Sequence, residues 1–317
     1  MRKIGIVTAF ALGSVLFAGQ AFAQKETQQG QGRAVVTILP AQKNGEVSPV
    51  SPQSLKVRVD GKQSSVLNFT PLEEANSPVE LVLLLDSGAR TSLGSQFQDI
   101  QEFVGEMPSN TRMAIAYMEN GRAAFSSQLS SNPADVLKGL HLSAGAPGSN
   151  ASPYFCLSDL AKNWPSHDRT ARREVVMITD GVDNYDRRFD PDDPYVQTAI
   201  NDSVRAGLVV HSIYWRDMGR LNSGLYATNA GQNLLSIVTQ ATGGKSYWVG
   251  EGNPVSLQPY FKDLRSRLNH QYELSFTAPS KGKPEVQSLK VDLHVPSAKV
   301  DAPQRVLVTG GMSARSE

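Results

Sequence analysis

Asp86 and Asp180 are the residues whose placement suggests chemistry. Each follows an apolar run, "VELVLLL" before the first and "VVMIT" before the second. In an open parallel sheet, ligands bind outside the carboxyl ends of the strands, beside the point where strand order reverses. Carboxylates there can supply part of a hard-cation site, because Mg²⁺ often takes one or two carboxylates and completes its shell with water. A plainer role is also open to each Asp, which is to cap the turn or helix that follows. The residues two and four beyond Asp86 sharpen the question. They are Gly88, which has no side chain, and Arg90, whose guanidinium has five donors and no acceptor and so cannot ligate a cation.

Other candidate groups point less clearly. The acidic run "DNYDRRFDPDDPY" opens at Asp183 and lacks the odd-position spacing and closing Glu of a calcium loop. It reads as a solvated or ligand-facing rim, since loops at this end of a sheet carry recognition. Cys156 is the only cysteine, which excludes an intramolecular disulfide and any multi-cysteine zinc site. It reads as a small buried apolar residue, because no His stands near it as a helper. The five histidines, His211 among them in the strand-like "LVVHSIYW", make no metal-binding spacing. No phosphate loop and no Gly-x-Ser-x-Gly elbow is present, and Ser87 has no base beside it. The chain is therefore expected not to be an enzyme.

The elements that must position these groups follow from periodicity. Residues 79–270 alternate continuous apolar strands with amphipathic helices, the pattern of a mostly parallel sheet covered on both faces. The predicted fold class is α/β, a doubly wound, mostly parallel, Rossmann-like sheet. Asn132, Asp193 and Asn253, each followed by proline, are expected to cap helices. Asn120-Gly121 predicts a tight turn into an antiparallel edge strand. Residues 34–78 and 271–317 alternate with period two and are expected to pack together as a small sandwich-like appendage, with 24–33, "QKETQQGQGR", as a polar leader. Residues 1–23 carry Arg2 and Lys3, an apolar run and Ala21-Phe22-Ala23, the pattern of a secretory signal peptide. Export to a periplasm or the exterior is the expectation, with no membrane span after cleavage. Of the 317 residues 40% are hydrophobic and 19% charged, with a formal net charge of +1. That balance gives no reason to expect nucleic acid.

"VELVLLLDSGAR" and the later "EVVMITDGVDN" together resemble the von Willebrand factor type A (vWA) domain, over residues 79–270. The flanking β segments resemble the exported bacterial branch of that family. The resemblance implies a doubly wound sheet that binds a protein partner through a metal-ion-dependent adhesion site. The family motif places Asp-x-Ser-x-Ser after the first strand, a Thr from a middle loop and an Asp in a "TDG"-like turn. Asp86 matches the first ligand and Asp180 the last, whereas Gly88 and Arg90 stand where the two serines belong. Ser152, with Ser149 behind it, is the candidate for the missing Thr, and it can equally cap the helix that follows. Arg90 can bridge Asp86 and Asp180 with charge-assisted bonds and so replace the cation's charge. The expected site is thus a remnant without cofactor at Asp86 and Asp180, and the expected function is protein binding across Asp86, Gly88, Arg90, Ser152, Asp180 and Asp183. Two alternatives remain: a surviving weak Mg²⁺ site, and a structural role in an envelope assembly through the β flanks.

Overall fold

A computed structural model of the chain describes residues 28–42, 45, 47, 49–73, 77–142, 152–183, 190–216, 224–248 and 253–310, with the side chains of Gln28, Arg90 and Thr91 left aside. The signal peptide predicted over 1–23 lies outside these residues. The chain opens with β1 (Gln28–Pro40), β2 (Leu55–Val59), β3 (Lys62–Ser64) and β4 (Val66–Pro71). It closes with β11 (Gln271–Ser280), β12 (Glu285–Leu293), β13 (Ala298–Asp301) and β14 (Arg305–Gly310). Between them run β5 (Val79–Asp86), α1 (Arg90–Gly94), α2 (Phe97–Gly105), β6 (Thr111–Glu119), β7 (Arg122–Phe125), α3 (Pro133–Leu137) and α4 (Pro153–Lys162). The middle region continues with β8 (Arg172–Thr179), α5 (Pro194–Ala206), β9 (Leu208–Tyr214), α6 (Leu225–Thr242), β10 (Ser246–Tyr247) and α7 (Gln258–Leu268).

The middle elements build one sheet in the order β10-β9-β8-β5-β6-β7, parallel throughout except for β7. The strand that comes first in the chain lies inside the sheet, so the order reverses at β5, and Asp86 and Asp180 sit at that reversal. Alternate residues of β5 feed opposite cores. Val82 and Leu84 pack under α4, α5 and α6, while Leu81, Leu83 and Leu85 pack under α2 and α7. This two-sided burial is why the strands read as continuous apolar runs. The β6–β7 turn has Asn120 and Gly121 at φ 51° and 71°, the left-handed pair that a two-residue hairpin needs.

Strands from both ends of the chain form a second, antiparallel sheet in the order β3-β2-β12-β14-β1-β11-β4, with β13 also on β1. β12 pairs with β14 through Glu285–Ser288 and with β2 through Leu289–Leu293. The sheet folds over at that step and closes on Val36, Val57, Leu274, Phe276 and Val308.

Two expectations need correction. The polar leader assigned to 24–33 gives way to strand from Gln28 onward, paired with both β11 and β14. Its inward positions are Gly30 and Gly32, where a Cβ would come within 2.4 Å of the Thr309 carbonyl and 2.5 Å of the Phe276 ring. Alternation is intact, but glycine fills the buried positions and hides it. The proposed helix start at Asn253 is also wrong. α7 begins at Gln258, where Asp99 of α2 and Gln96 just before α2 accept from the Leu257 N–H at 2.6 and 3.2 Å. Asn253 instead clasps the Arg216 backbone, accepting from its N–H at 2.6 Å and donating to its carbonyl at 3.2 Å.

Candidate functional site

Parallel register sets the centre of the site. Leu85 pairs with Ile178, which brings Asp86 beside Thr179. The Thr179 hydroxyl donates to Asp86 Oδ2 at 2.6 Å, and the Gly88 N–H donates to Asp86 Oδ1 at 2.8 Å. Asp180 repeats the second bond on its own strand, accepting from the Val182 N–H at 2.9 Å. Both carboxylates are almost fully buried.

The turn after β8 is held from two helices. Ser152 caps α4, accepting from the Phe155 N–H at 3.4 Å, and donates its own proton to Asp183 Oδ2 at 2.6 Å. The Tyr154 hydroxyl donates to the Gly181 carbonyl at 2.8 Å. Burial first, and then the charges of Asp180, Asp183 and Asp193, hold the Tyr154 phenol well above its ordinary pKa. Gly181 takes φ 69°, and α6 approaches so closely that a Cβ on Gly231 would lie 2.2 Å from the Asp180 carbonyl oxygen. Glycine is needed on both sides of that contact.

Asp86, Gly88, Ser152, Asp180 and Asp183 all lie at the carboxyl end of the sheet. Arg90 opens α1 next to Asp86, but the bridge predicted for its guanidinium lies outside the described side chains, as do Ser149 and residues 184–189 of the acidic run. Thr179, Tyr154 and Gly231 were missed. Thr179 gave no signal because one hydroxyl at the end of "VVMIT" looks like any strand residue; only the register with β5 gives it a task. Among the described residues, no group of three or more His, Cys, Asp or Glu is arranged to hold a metal ion. Ser87, the nearest hydroxyl in sequence, donates away from the site to the Met118 carbonyl at 2.6 Å. Cys156 is buried, and that burial, with the charge of Asp86 added, pushes its thiol pKa up. His211 is a core residue. Its Nδ1 accepts from the Lys245 N–H at 3.0 Å, which leaves Nε2 to donate to Glu174 at 3.1 Å.

Among the described residues, several large apolar side chains are exposed at the same end of the sheet. Tyr195 opens α5, Leu225 and Tyr226 open α6, Trp248 follows β10 and Val255 precedes α7, all with large exposed area. Val255 is 97% exposed and Tyr226 74%, where Trp164 and Trp215 lie in the core.

The strand order, the antiparallel edge and the paired strand-end aspartates define a vWA-like α/β fold. Solved structures with similarity include an aerotolerance-related membrane protein from Bacteroides fragilis, at 15% identity and TM-score 0.44 over 60% of this chain and 98% of that one. BatB from Bacteroides thetaiotaomicron matches at 12% and 0.44 over 60% and 97%. A von Willebrand factor type A protein from Catenulispora acidiphila matches at 11% and 0.43 over 89% and 74%. No family model and no curated protein matches the chain. Among the described residues no helix is long and apolar enough to cross a membrane.

Proposed function

We propose that this chain is an exported, non-enzymatic module that binds a protein partner across the carboxyl-end loops of its central sheet, around residues 86–91, 143–153 and 181–195, without a bound metal. The observation that carries the reading is the rim. Tyr195, in the last of these loops, and Leu225, Tyr226, Trp248 and Val255, in or beside the neighbouring loops at the same end of the sheet, are five of the eight large hydrophobic side chains exposed among the described residues. Exposed aromatic and aliphatic side chains grouped on one face are what protein interfaces use as anchors. The metal-free part is supported by the direction of the hydrogen bonds. Thr179 and Ser152 give their hydroxyl protons to Asp86 and Asp183, and Gly88 offers Asp86 an N–H where the family places a hydroxyl ligand. Donors that satisfy carboxylates do the work that a cation would otherwise do.

Two measurements test this. A photo-crosslinking amino acid placed at Tyr226, and separately at Leu67 on the exposed strand β4, should give partner adducts in cells from the first position only. Adducts from Leu67 alone would sink the reading and favour assembly through the β flanks. Thermal unfolding of the full chain should be unchanged by EDTA or by millimolar Mg²⁺, Mn²⁺ or Ca²⁺, whereas a bound ion at a hundred times its Kd would add about 2.7 kcal/mol. The same series on Arg90→Ser asks whether the guanidinium stands in for the ion. A cation response gained only by the variant supports that role.

A further inference from the structure

We infer that the partner meets this face with a basic segment, one that carries lysine or arginine beside an apolar or aromatic side chain. The inference rests on the docking face proposed above and adds the chemistry of what docks there.

Charge sets the first constraint. The described residues of the loops at the carboxyl end of the sheet are 86–96, 119–122, 152–153, 180–183, 190–195, 215–216, 224–225, 248 and 253–257. They hold seven Asp or Glu, three Arg and no Lys, in a chain whose formal net charge is +1. This end is therefore acidic against a nearly neutral whole. The field is felt inside the site as well, where Asp180, Asp183 and Asp193 add to the effect of burial in raising the Tyr154 pKa.

Geometry sets the second. The rings of Phe155 and Tyr195 lie 4.5 Å apart, tilted by 43°, with Tyr195 exposed. Asp190 and Asp192 are exposed on the turn that leads into α5, just before Tyr195. A Cβ on Gly121 would sit 3.3 Å from Phe155 Cβ and 3.9 Å from its Cγ, so the Glu119–Arg122 turn also lies against Phe155. Glu119 is exposed there, opposite Arg122 in the β6–β7 register. An aromatic surface flanked by exposed carboxylates suits a cation that uses the ring face and the charges together. The N-terminus of α5 does not reverse this preference, because Asp193 already accepts from the Tyr195 and Val196 N–H groups at 2.8 and 3.3 Å. Rim charges of this kind steer association and select partners, while the apolar anchors supply most of the affinity.

The test is a selection of phage-displayed random peptides on the immobilised full chain in EDTA. Enriched peptides should be net basic with an aromatic or aliphatic side chain close to the charge. Their binding should weaken at least tenfold on a Glu119→Lys/Asp192→Lys variant. It should also fall as salt rises from about 0.1 M to about 1 M, where the screening length drops from about 10 Å to about 3 Å. Neutral or acidic peptides that lose binding on Tyr226→Ala/Trp248→Ala would overturn the basic partner and leave the docking face standing. Peptides indifferent to every one of these exposed substitutions, or no enrichment at all, would overturn both.

Discussion

Replacing Thr179 with valine probes the core of the site with almost no change of shape. Thr179 is fully buried, its hydroxyl donates to Asp86 Oδ2 at 2.6 Å, and it accepts from the Gly181 N–H at 3.3 Å. Valine removes the donor and the acceptor and keeps the volume and the strand preference. A hydrogen bond to a charged group contributes about 1.5–3 kcal/mol, and the long second bond adds little, so the expected loss is roughly 2–3 kcal/mol. For a chain of 317 residues, at about 2.1 cal/mol/K of unfolding entropy per residue, each kcal/mol moves Tm by about 1.5 °C, which predicts a fall of roughly 3–5 °C. Thr179→Ser is the control. It keeps both bonds and loses one buried methyl group, at a cost of about 1 kcal/mol. Urea unfolding followed by intrinsic fluorescence gives both values, and an unchanged m-value confirms that the folded state is the one affected. If valine is no worse than serine, the Thr179–Asp86 bond does not hold the site together and the reasoning fails.

Two further substitutions test neighbouring parts. Gly231→Ala drives a Cβ to 2.2 Å from the Asp180 carbonyl, a backbone atom that cannot rotate away, so a loss of about 1–3 kcal/mol is expected; stability within about 0.5 kcal/mol of wild type would refute the close approach. Asp263 is held below the ordinary carboxylate range: burial raises its pKa, but the hydrogen bonds from Tyr247 (2.7 Å) and Arg267 (2.8 Å), together with the Arg267 charge, outweigh burial. A carboxyl whose folded pKa is depressed stabilises the protein above its unfolded value of about 3.9 and loses that contribution as pH falls through the folded value. Asp263→Asn should therefore be less stable than wild type by a constant margin above about pH 5, with the margin closing at lower pH. A margin that widens on acidification would contradict the sign.

Much of this architecture was legible because the signals were local. Asn132 and Asp193 before proline cap α3 and α5 as read, and Gly243 ends α6 at φ 88°. Asn253 carried the same dipeptide signal and failed, because its side chain found a better partner in the Arg216 backbone from another loop. β1 was under-read because alternation is recognised by apolar side chains, and Phe276 and Thr309 lie too close to Gly30 and Gly32 to allow any. At the site, the two strand-end aspartates stood out as single residues. Thr179, Gly231 and Tyr154 act only through long-range register and helix approach, and no spacing within their own segments encodes that.

The bonds at Asp86 and Asp180 also separate what the aspartates do from what the face does. In each, Oδ1 accepts from the N–H two residues on, Gly88 in one case and Val182 in the other, which is the bond by which Asp folds its own turn. The plain capping role is thus satisfied at both strand ends whatever binds above them. Asp86 goes further and ties its loop to β8 through Thr179, and Asp183 ties the next loop to α4 through Ser152. Three separate segments are joined in this way. A preformed set of loops loses little conformational freedom on binding. On the proposed reading the buried aspartates set the shape of the face, and selectivity is assigned to the exposed residues, Tyr195, Tyr226, Trp248 and the flanking carboxylates.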